Sequence, residues 1–257
     1  MLYLKETSMT SKKLKQNIHG WLNFNKPSGI SSARALSRVK RLFNAKKAGH
    51  AGTLDPLAEG ILPIAFGKKT KEVNRLMEAP KTYIFTITFG TQTDSDDANG
   101  SVIHTSEVRP VLHDLKALLP HFTGMITQLP PQISAIKIGG ERAYKRVRRG
   151  ERVPLPPRQV NVASFKLMST EPTSPSKNKP EPHLQTATLC ATVSKGTYIR
   201  SIARDIGSKL GCLGHVSYLQ RTKVGSFSIE SAFTLEELEH TTNNNNNIIK
   251  LLSSNVE

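Results

Sequence analysis

Hydrophobic and polar positions alternate along residues 81–90, KTYIFTITFG, where aromatic and β-branched side chains stand at every second position. This period of two predicts a β-strand with one buried face. Residues 160–168 and 184–195 have a similar composition and predict two further strands. The dipeptide Asn99-Gly100 is a strong hairpin signal after the first of these strands.

A period near 3.6 follows Ser31 and Ser32, either of which can cap the start of a helix. The apolar stripe of that helix is Leu36, Val39, Leu42 and Phe43. Residues 70–77 and 111–122 predict two short helices, and residues 196–211 predict a longer one that ends at a glycine. The apolar face of the longer helix is Ile199, Ile202, Ala203, Ile206 and Leu210. Since strands and helices mix without a regular βαβ alternation, the pattern predicts an α+β protein with a largely antiparallel sheet flanked by helices.

Composition divides the chain into one main domain with two tails. Residues 1–19 are expected to form a mobile basic tail, and residues 20–238 form the main domain. Within it, residues 169–183 are hydrophilic and broken by prolines, which predicts a loop. Residues 239–257 contain five consecutive asparagines and are expected to form a low-complexity tail.

The charge balance is unusual, since 36 Lys and Arg stand against 20 Asp and Glu, a net charge of +16. Such a charge attracts polyanions, with nucleic acid as the first candidate, an anionic membrane as the second and a merely basic soluble protein as the alternative. Residues 137–158 hold a concentrated basic run, which by composition alone could also be a solvated charged face. Its basic residues are Lys137, Arg142, Lys145, Arg146, Arg148, Arg149, Arg152 and Arg158.

Other features restrict the class of protein. The two cysteines, Cys190 and Cys212, offer no disulfide framework and are expected to be reduced thiols. The N-terminal segment lacks the pattern of a signal or transit peptide, and no window has the length of apolar sequence that crosses a membrane. We therefore expect a cytoplasmic protein that does not enter a membrane.

Two familiar motifs are matched only in part, and two other kinds of site are not indicated. GKKT, residues 67–70, lacks the first glycine of a phosphate-binding loop and the hydroxyl residue after its lysine. DSDDANG, residues 94–100, lacks both anchoring carboxylates of a calcium loop and predicts an acidic hairpin tip instead. The histidines have no metal-ligand spacing, and no nucleophile elbow suggests a catalytic triad. No metal site and no cofactor are therefore expected.

One stretch, GHAGTLDPLAEG at residues 49–60, fits neither a regular helix nor a strand. Three glycines permit turns that other residues resist, and Pro56 stiffens the backbone after Asp55. This mixture indicates a rigid turn that orients one carboxylate. The alternative is that Asp55 caps a helix over residues 57–63, because Asp-Pro is a common helix start.

Together with this stretch, several distant segments resemble the bacterial TruB-type tRNA pseudouridine synthases. They are KAGHAGTLDPLAEGILPIAFGKKTK (47–71), KTYIFTITFGTQTDSDDANG (81–100), SKGTYIRSIARDIG (194–207), YLQRTKVGSF (218–227), NKPSGISSARALSRVK (25–40) and PPQISAIKIGGERAYKRVRRGE (130–151). The resemblance covers about residues 20–235. It implies the pseudouridine synthase fold and the cofactor-free isomerisation of the uridine at position 55 of the tRNA TΨC loop.

The resemblance also assigns roles to individual residues. It makes Asp55 the catalytic carboxylate and Arg200 its cationic partner. His50 matches a residue that stacks in the disrupted RNA loop, and Tyr83 matches the aromatic side chain that stacks on the everted base. The pocket wall and its support are assigned to Tyr198, Leu219 and Lys26. From the residues alone, Tyr83 and Leu219 could equally be ordinary core.

The basic run of residues 137–158 matches the RNA-clamping insertion of this family. Its clamp residues are Lys137, Arg142, Lys145, Arg146, Arg148, Arg149 and Arg152. The expected partner is the TΨC stem-loop of tRNA, bound by a monomer with no obligate protein partner. Ile133 stands where an aromatic residue is usual beneath the clamp, and we expect the small C-terminal RNA-binding domain of many members to be absent.

Two other functions compete with the isomerase. One is an RNA chaperone that unfolds and refolds the tRNA elbow, with catalysis secondary. The other is an RNA-guided rRNA enzyme of the related eukaryotic and archaeal branch, against which the bacterial type of clamp argues.

Overall fold

The computed structural model describes residues 14–134, 136–147, 149–151, 153–172, 182–243 and 248–252. The first thirteen residues, Arg148, Arg152, most of the 169–183 loop and most of the asparagine run lie outside the described residues. What was expected of those parts stays a prediction. Residues 169–172, however, are not the start of a loop, because they continue the preceding strand to Pro172 and pair with residues 184–188.

The described strands are β1 (Gly20–Leu22), β2 (Asn25–Lys26), β3 (Ala48–His50), β4 (Glu59–Ile61), β5 (Ile64–Phe66), β6 (Lys81–Phe89), β7 (Thr91–Thr93), β8 (Val102–Thr105), β9 (Gly124–Gln128), β10 (Lys137–Ile138), β11 (Glu141–Arg142), β12 (Arg158–Pro172), β13 (Leu184–Val193), β14 (Gly214–Val224) and β15 (Phe227–Ser228). The described α-helices are α1 (Ser32–Leu42), α2 (Val73–Glu78), α3 (Leu112–Leu118), α4 (Ala143–Val147), α5 (Ile199–Lys209) and α6 (Leu235–Asn243). Short 3₁₀ turns cover Gly67–Lys71, Leu119–Phe122, Ile229–Ser231 and Ile248–Leu251.

The main sheet has eight strands in the order β2-β4-β14-β6-β13-β12-β9, with β15 paired to β14. Its pairs are antiparallel except that β14 and β4 run parallel. The period of two in β6 is confirmed, because Phe85, Ile87 and Phe89 are buried. An α+β protein with a mixed, mostly antiparallel sheet and flanking helices is therefore what the sequence pattern predicted.

Helix α5 lies against the sheet. Ile202, Ala203 and Ile206 of its predicted apolar face are fully buried. Gly207 allows a close approach, because a Cβ there would lie 2.4 Å from the backbone nitrogen of Gly214 at the start of β14. This packing fixes the C-terminal part of α5 against the start of β14, and both elements carry residues of the site.

A second small sheet, β1-β5-β3, carries the strand that leads into the glycine-rich stretch. Trp21, Ile61 and Ala65 are buried here and form a satellite core with Val224 and Phe227. Because β3 is the edge partner of β5 and β4 belongs to the main sheet, the residues between β3 and β4 connect two sheets. Both ends of that connection are therefore held in place.

The predicted boundaries shift at both ends of the domain. Residues 14–19 are not a free tail, since Ile18 is buried and the backbone of Gln16 pairs with Asn44 and Lys46. The tail expected from residue 239 begins inside α6, and Leu251 and Leu252 pack against the main core. Near each end of the domain, apolar residues pack against the core although the residues around them are mostly polar.

The hairpin prediction needs a correction in its turn. β7 pairs with β8, so Asn99-Gly100 lies within a long connection over residues 94–101 rather than in a two-residue turn. The expected acidic tip is folded inward, because the side chains of Ser95, Asp96 and Asp97 are buried. The backbone of Asp97 forms an isolated β-bridge with Val216 of β14. This contact holds the connection beside the strand that leads to the site.

Candidate active site

The connection between β3 and β4 holds Asp55 in a rigid turn. Ser32 of α1 bonds both backbone groups of Leu54, donating to its carbonyl oxygen at 3.0 Å and accepting from its N–H at 2.8 Å. The N–H of Gly29 donates to the carbonyl oxygen of Pro56 at 2.8 Å. The backbone is therefore anchored on both sides of Asp55, immediately before and immediately after it.

Two of the three glycines of the stretch are required by its backbone. Gly60 has a φ of +100°, and a Cβ there would lie 2.2 Å from the carbonyl oxygen of Arg221. Gly52 also lies in the left-handed region, with a φ of +87°. Gly49 does not need this freedom, because it lies within β3 and has no positive φ. The prediction that all three glycines serve turns is corrected for Gly49.

Asp55 and Arg200 form a two-pronged ion pair. Arg200 Nε donates to Asp55 Oδ2 at 2.8 Å, and Arg200 Nη2 donates to Asp55 Oδ1 at 3.1 Å. The Asp55 side chain is 34% exposed, whereas that of Arg200 is 4% exposed. Asp55 does not cap a helix, because no helix is formed over residues 57–63. The expected cationic partner is therefore in contact with the carboxylate.

Arg200 is held by more than Asp55. Its Nη1 donates to the carbonyl oxygen of Ser95 at 2.8 Å, and its Nη2 donates to that of Ile133 at 3.0 Å. The Asp97 carboxylate lies 3.7 Å from Nε. Ile133, noted for its unusual side chain, thus acts through its backbone. These contacts fix the plane of the guanidinium and hence the direction of the carboxylate.

A second arginine of α5, one helical turn after Arg200, also binds the acidic segment. Arg204 donates to Asp96 Oδ2 and to the carbonyl oxygen of Leu129, at 2.9 and 2.8 Å. Burial raises the pKa of Asp96, and the Arg204 charge opposes that shift. The segment DSDDANG therefore ties the long hairpin connection to α5, a role that the sequence analysis missed although its two adjacent aspartates were the available signal.

A cavity of about 280 Å³ opens beside the Asp55–Arg200 pair. Three of the residues expected in the pocket line it: Tyr83, Tyr198 and Leu219. Leu219 is also part of the main core, and Tyr83 packs against that core. The two interpretations of these side chains are therefore compatible, since each has one side on the core and another on the cavity.

Tyr198 is placed by a residue that the sequence did not single out. The side-chain amide of the buried Gln128 donates to the Tyr198 carbonyl oxygen at 3.0 Å and accepts from the Tyr198 N–H at 2.7 Å. The Arg158 guanidinium lies 4.8 Å from the centre of the tyrosine ring. Helix α5 begins only after this residue, at Ile199, so the predicted start at residue 196 is corrected.

His50 and Lys26 lie close to the site without lining this cavity. His50 ends β3, its Nδ1 is buried and has no hydrogen-bond partner in the described part of the chain, and burial lowers the pKa of its imidazole. Lys26 Nζ donates to the carbonyl oxygens of Pro27 and Ile30 at 2.8 and 2.9 Å. Burial lowers the pKa of Lys26 to about 8, although the Asp55 charge acts in the opposite direction.

The basic insertion forms a small folded unit. β10, β11 and α4 surround a cluster made by Ala143, Val153 and Leu155. Arg149 bonds Glu141 at 2.8 and 2.7 Å and also bonds Glu151. Its pKa is raised by these hydrogen bonds.

The structure places the expected clamp residues in different surroundings. Arg146 and Arg149 have internal ion-pair partners in Glu141 and Glu151. Lys145 is exposed and has no ion pair among the residues that the structure describes. Arg142 lies in β11 and lowers the pKa of His50 by its charge. Lys137 lies in β10, whereas Arg148 and Arg152 lie outside the described residues.

Metal clusters and membrane-spanning helices are both absent from the described residues. Over the described ranges, no group of three or more His, Cys, Asp or Glu side chains is arranged to hold a metal ion. In the same part of the chain, no helix combines the length and apolar character needed to cross a membrane.

Comparison with protein families gives two matches. The model described as TruB family pseudouridylate synthase (N terminal domain) matches residues 40–199. The model described as tRNA pseudouridylate synthase B C-terminal domain matches residues 200–253. The second match begins at Arg200 and includes β14, so it covers part of the main sheet. The expected absence of a separate small RNA-binding domain stays a prediction.

Two curated relatives are similar over most of the chain. The tRNA pseudouridine synthase B of Bartonella quintana is 47% identical over 228 residues, which cover 89% of this chain and 80% of that protein. The protein of the same name from Brucella anthropi is 48% identical over 228 residues, which cover 89% of this chain and 67% of that protein.

Two solved structures share the fold. A crystal structure of a Cbf5-Nop10-Gar1 complex matches with a TM-score of 0.66 and 26% identity, over 91% of this chain and 60% of that one. A crystal structure of the archaeal box H/ACA sRNP Nop10-Cbf5 complex matches with a TM-score of 0.63 and 25% identity, over 88% of this chain and 54% of that one. The chain therefore spans a little over half the length of these two solved chains.

Proposed function

Because the chain belongs to the TruB family of pseudouridylate synthases, we propose that it converts the uridine at position 55 of the tRNA TΨC loop to pseudouridine. The resemblance found in the sequence and the pseudouridine synthase fold are confirmed by the family match and the solved neighbours. The chain is an RNA-modifying enzyme of the isomerase class. The choice of nucleotide and the chemical route are our proposals.

The observation that carries the proposal is the Asp55–Arg200 ion pair at the edge of the cavity. Arg200 is buried and neutralises the carboxylate, while the carboxylate itself stays partly exposed toward the cavity. A carboxylate in a low-dielectric site stays ionised when a cation is in contact with it. The geometry therefore supports a reactive anion that is oriented before substrate arrives.

One carboxylate is sufficient for this isomerisation. The bond between the ribose C1′ and the uracil N1 breaks, the base turns within the pocket, and C1′ bonds to C5. C5 then loses its proton and N1 gains one, so the product is an isomer of the substrate. The base does not leave the site, so no second carboxylate is needed to activate water as in a glycoside hydrolase. Attack by Asp55 on the sugar, attack on the base, and elimination through a glycal all use the same carboxylate.

The uridine must leave its stacked position to reach Asp55. Extruding a base costs a few kcal/mol, which contacts to the everted base and to the opened loop offset. Tyr83 lies on the cavity wall, where its ring can stack on the everted base. To His50, which ends β3 two residues before Gly52, we assign the task of filling the space that the base vacates. Lys26 supports the positive potential around Asp55.

The basic insertion is proposed to hold the RNA. Contacts from such a segment to phosphates provide affinity that falls with salt, whereas recognition of a folded loop depends on shape and on the everted base. Of the clamp residues, Lys145 is exposed and without an internal ion pair in the described part of the chain. It is therefore the clearest candidate for a phosphate contact.

We propose that the protein acts on tRNA as a cytoplasmic monomer without a protein partner. The curated relatives named tRNA pseudouridine synthase B are 47–48% identical, whereas the chain matched in the Cbf5-Nop10-Gar1 complex is 26% identical. This difference supports the stand-alone type of enzyme over the RNA-guided alternative.

The test is tritium release from C5-labelled uridine in an unmodified tRNA transcript. We expect release by the wild type and none by Asp55→Asn, with tRNA affinity retained, because the amide has a similar shape and no nucleophilic charge. Asp114→Asn, on the exposed side of α3, is the matched control and is expected to behave as wild type. Release by Asp55→Asn at the wild-type rate would falsify the assignment. A wild type that binds and refolds tRNA without releasing tritium would instead support the chaperone alternative.

A further inference from the structure

The cavity beside Asp55 contains more positive charge than its carboxylate can neutralise. Asp55 is already paired with Arg200, and the other charged residues on the lining are Lys81, Lys195 and Arg221. Lys195 is paired with Glu78 outside the cavity. Within the described part of the chain, Lys81 and Arg221 form no ion pair with a carboxylate.

Arg221 is buried although no carboxylate among the described residues pairs with its charge. The residue is 1% exposed, its Nε donates to the Ile61 carbonyl oxygen at 2.7 Å, and its Nη2 donates to the Gly52 carbonyl oxygen at 2.9 Å. Its Nη1 has no hydrogen-bond acceptor among the residues that the structure describes. A side chain at position 52 would cover this nitrogen, since a Cβ there would lie 3.3 Å from it. Nη1 therefore lies against the side of Gly52 that carries no side chain, at the lining of the cavity.

Lys81 is a second buried cation on the same lining, and it is 6% exposed. Its ammonium donates to the carbonyl oxygens of Met77 and Ala79. One of its three N–H groups therefore has no acceptor among the described residues. Burial lowers the pKa of Lys81 to about 8, and the Arg221 charge contributes in the same direction, whereas Glu78 opposes it. The two cations lie on neighbouring strands, since Arg221 of β14 is the register partner of Tyr83, two residues after Lys81 in β6, and both line the same cavity.

Two buried like charges without a carboxylate are costly in a folded protein, and a bound anion removes that cost. We propose that Lys81 and Arg221 form a subsite for one phosphodiester group of the RNA, next to the everted nucleotide. The inference rests on the proposed function, since it places this phosphodiester on the strand that delivers the uridine to Asp55. A free N–H on each cation provides two charge-assisted donors for the two non-bridging oxygens.

A phosphodiester fits these groups better than the uracil base does. The base is neutral and offers no charge to compensate two cations, whereas every nucleotide of the RNA brings one negative charge. The donors lie on one lining with Asp55, so they act on the backbone of the nucleotide being modified rather than on the distant stem. This contact would set the depth to which the nucleotide enters the cavity.

The experiment is a double-mutant cycle between protein and RNA. Stem-loop RNAs are made with a neutral methylphosphonate in place of the phosphodiester 5′ or 3′ of the target uridine. Dissociation constants are measured in the Asp55→Asn background so that the RNA is not modified. We expect one of the two substitutions to weaken binding about tenfold. When Lys81→Met is combined with Asp55→Asn, the same methylphosphonate should weaken binding less than threefold.

Two further variants make the result decisive. Arg221→Lys should show the same loss of coupling, and either variant alone is sufficient if the other does not fold. Lys223→Gln, an exposed cation two residues along β14, is the matched control and should show no coupling to either methylphosphonate. If the losses in binding free energy from the Lys81 or Arg221 variant and from the methylphosphonate simply add at both RNA positions, the subsite is overturned.

The outcome is separable from that of the proposed function. Wild-type tritium release from the unmodified stem-loop is measured in parallel. Absence of release overturns the proposed function, whereas release without coupling at either phosphodiester overturns the subsite alone.

Discussion

The hydroxyl of Ser32 bonds both backbone groups of Leu54, the residue that precedes the carboxylate at position 55. Ser32 is buried at the first turn of α1, whereas its neighbour Ser31 caps that helix by accepting a hydrogen bond from the backbone N–H of Arg34. Two adjacent serines therefore have different tasks. One stabilises the helix, and the other ties the helix to the catalytic turn.

We expect Ser32→Ala to lower kcat about 10- to 100-fold, because small displacements of a reacting group are costly in rate. The binding of RNA should change little, since Ser32 does not line the cavity. Single-turnover tritium release and filter binding separate the two effects. Ser31→Ala is the matched control and should lose only stability, about 1 kcal/mol for a missing cap. Equal kcat losses for the two variants would contradict a positioning role for Ser32.

Arg200→Lys should lower kcat roughly 100-fold, because one ammonium cannot replace a planar fork that holds both oxygens of a carboxylate. The lysine also cannot keep the bonds to the carbonyl oxygens of Ser95 and Ile133. Arg204→Lys, on the same helix but bound to Asp96, is the comparison and should lose far less activity. Similar losses in both variants would mean that the Arg200 fork has no special part in orienting Asp55.

The buried Lys26 predicts a pH dependence of stability. Its pKa is about 8 in the folded protein and near 10.5 in the unfolded chain, so the unfolded chain binds more protons between these values. The contribution of Lys26 to stability therefore rises as the pH increases from 8 to 10.5. The free energy of unfolding of wild type minus that of Lys26→Met should grow over this range.

Urea unfolding followed by the fluorescence of the single tryptophan, Trp21, measures this difference. Lys116→Met, at an exposed position of α3, is the control and should show no such trend. A constant difference for Lys26→Met between pH 7 and 10 would contradict the lowered pKa.

Lys145 and Arg149 should differ in their contributions to RNA binding. Lys145→Gln should weaken binding and lower the slope of log Kd against log salt by about 1, as expected for one lost phosphate contact. Arg149→Gln should change this slope less, because Glu141 and Glu151 already hold its guanidinium. Binding titrations at several salt concentrations test both. A larger slope change for Arg149→Gln would reverse the assignment within the clamp.

Local pattern was sufficient for much of the fold. The period of two in β6 and the apolar face of α5 follow directly from side-chain spacing, and both are found as predicted. The glycine-rich stretch with Asp55 was identified as a rigid turn because Gly, Pro and Asp restrict the backbone locally. Its partner Arg200 came from the family resemblance, since 145 residues separate the two side chains.

The fold class, the basic character and the segment that carries the carboxylate could be predicted from the chain alone, because these depend on residues close together in it. The buried groups that support that segment became visible only in the folded protein. Ser32, Gln128 and Arg221 act through hydrogen bonds to residues 22, 70 and 160 or more positions away, and such contacts leave no periodic signal. The inward fold of Asp96 and Asp97 has the same cause, since α5 supplies the arginines that make their burial possible.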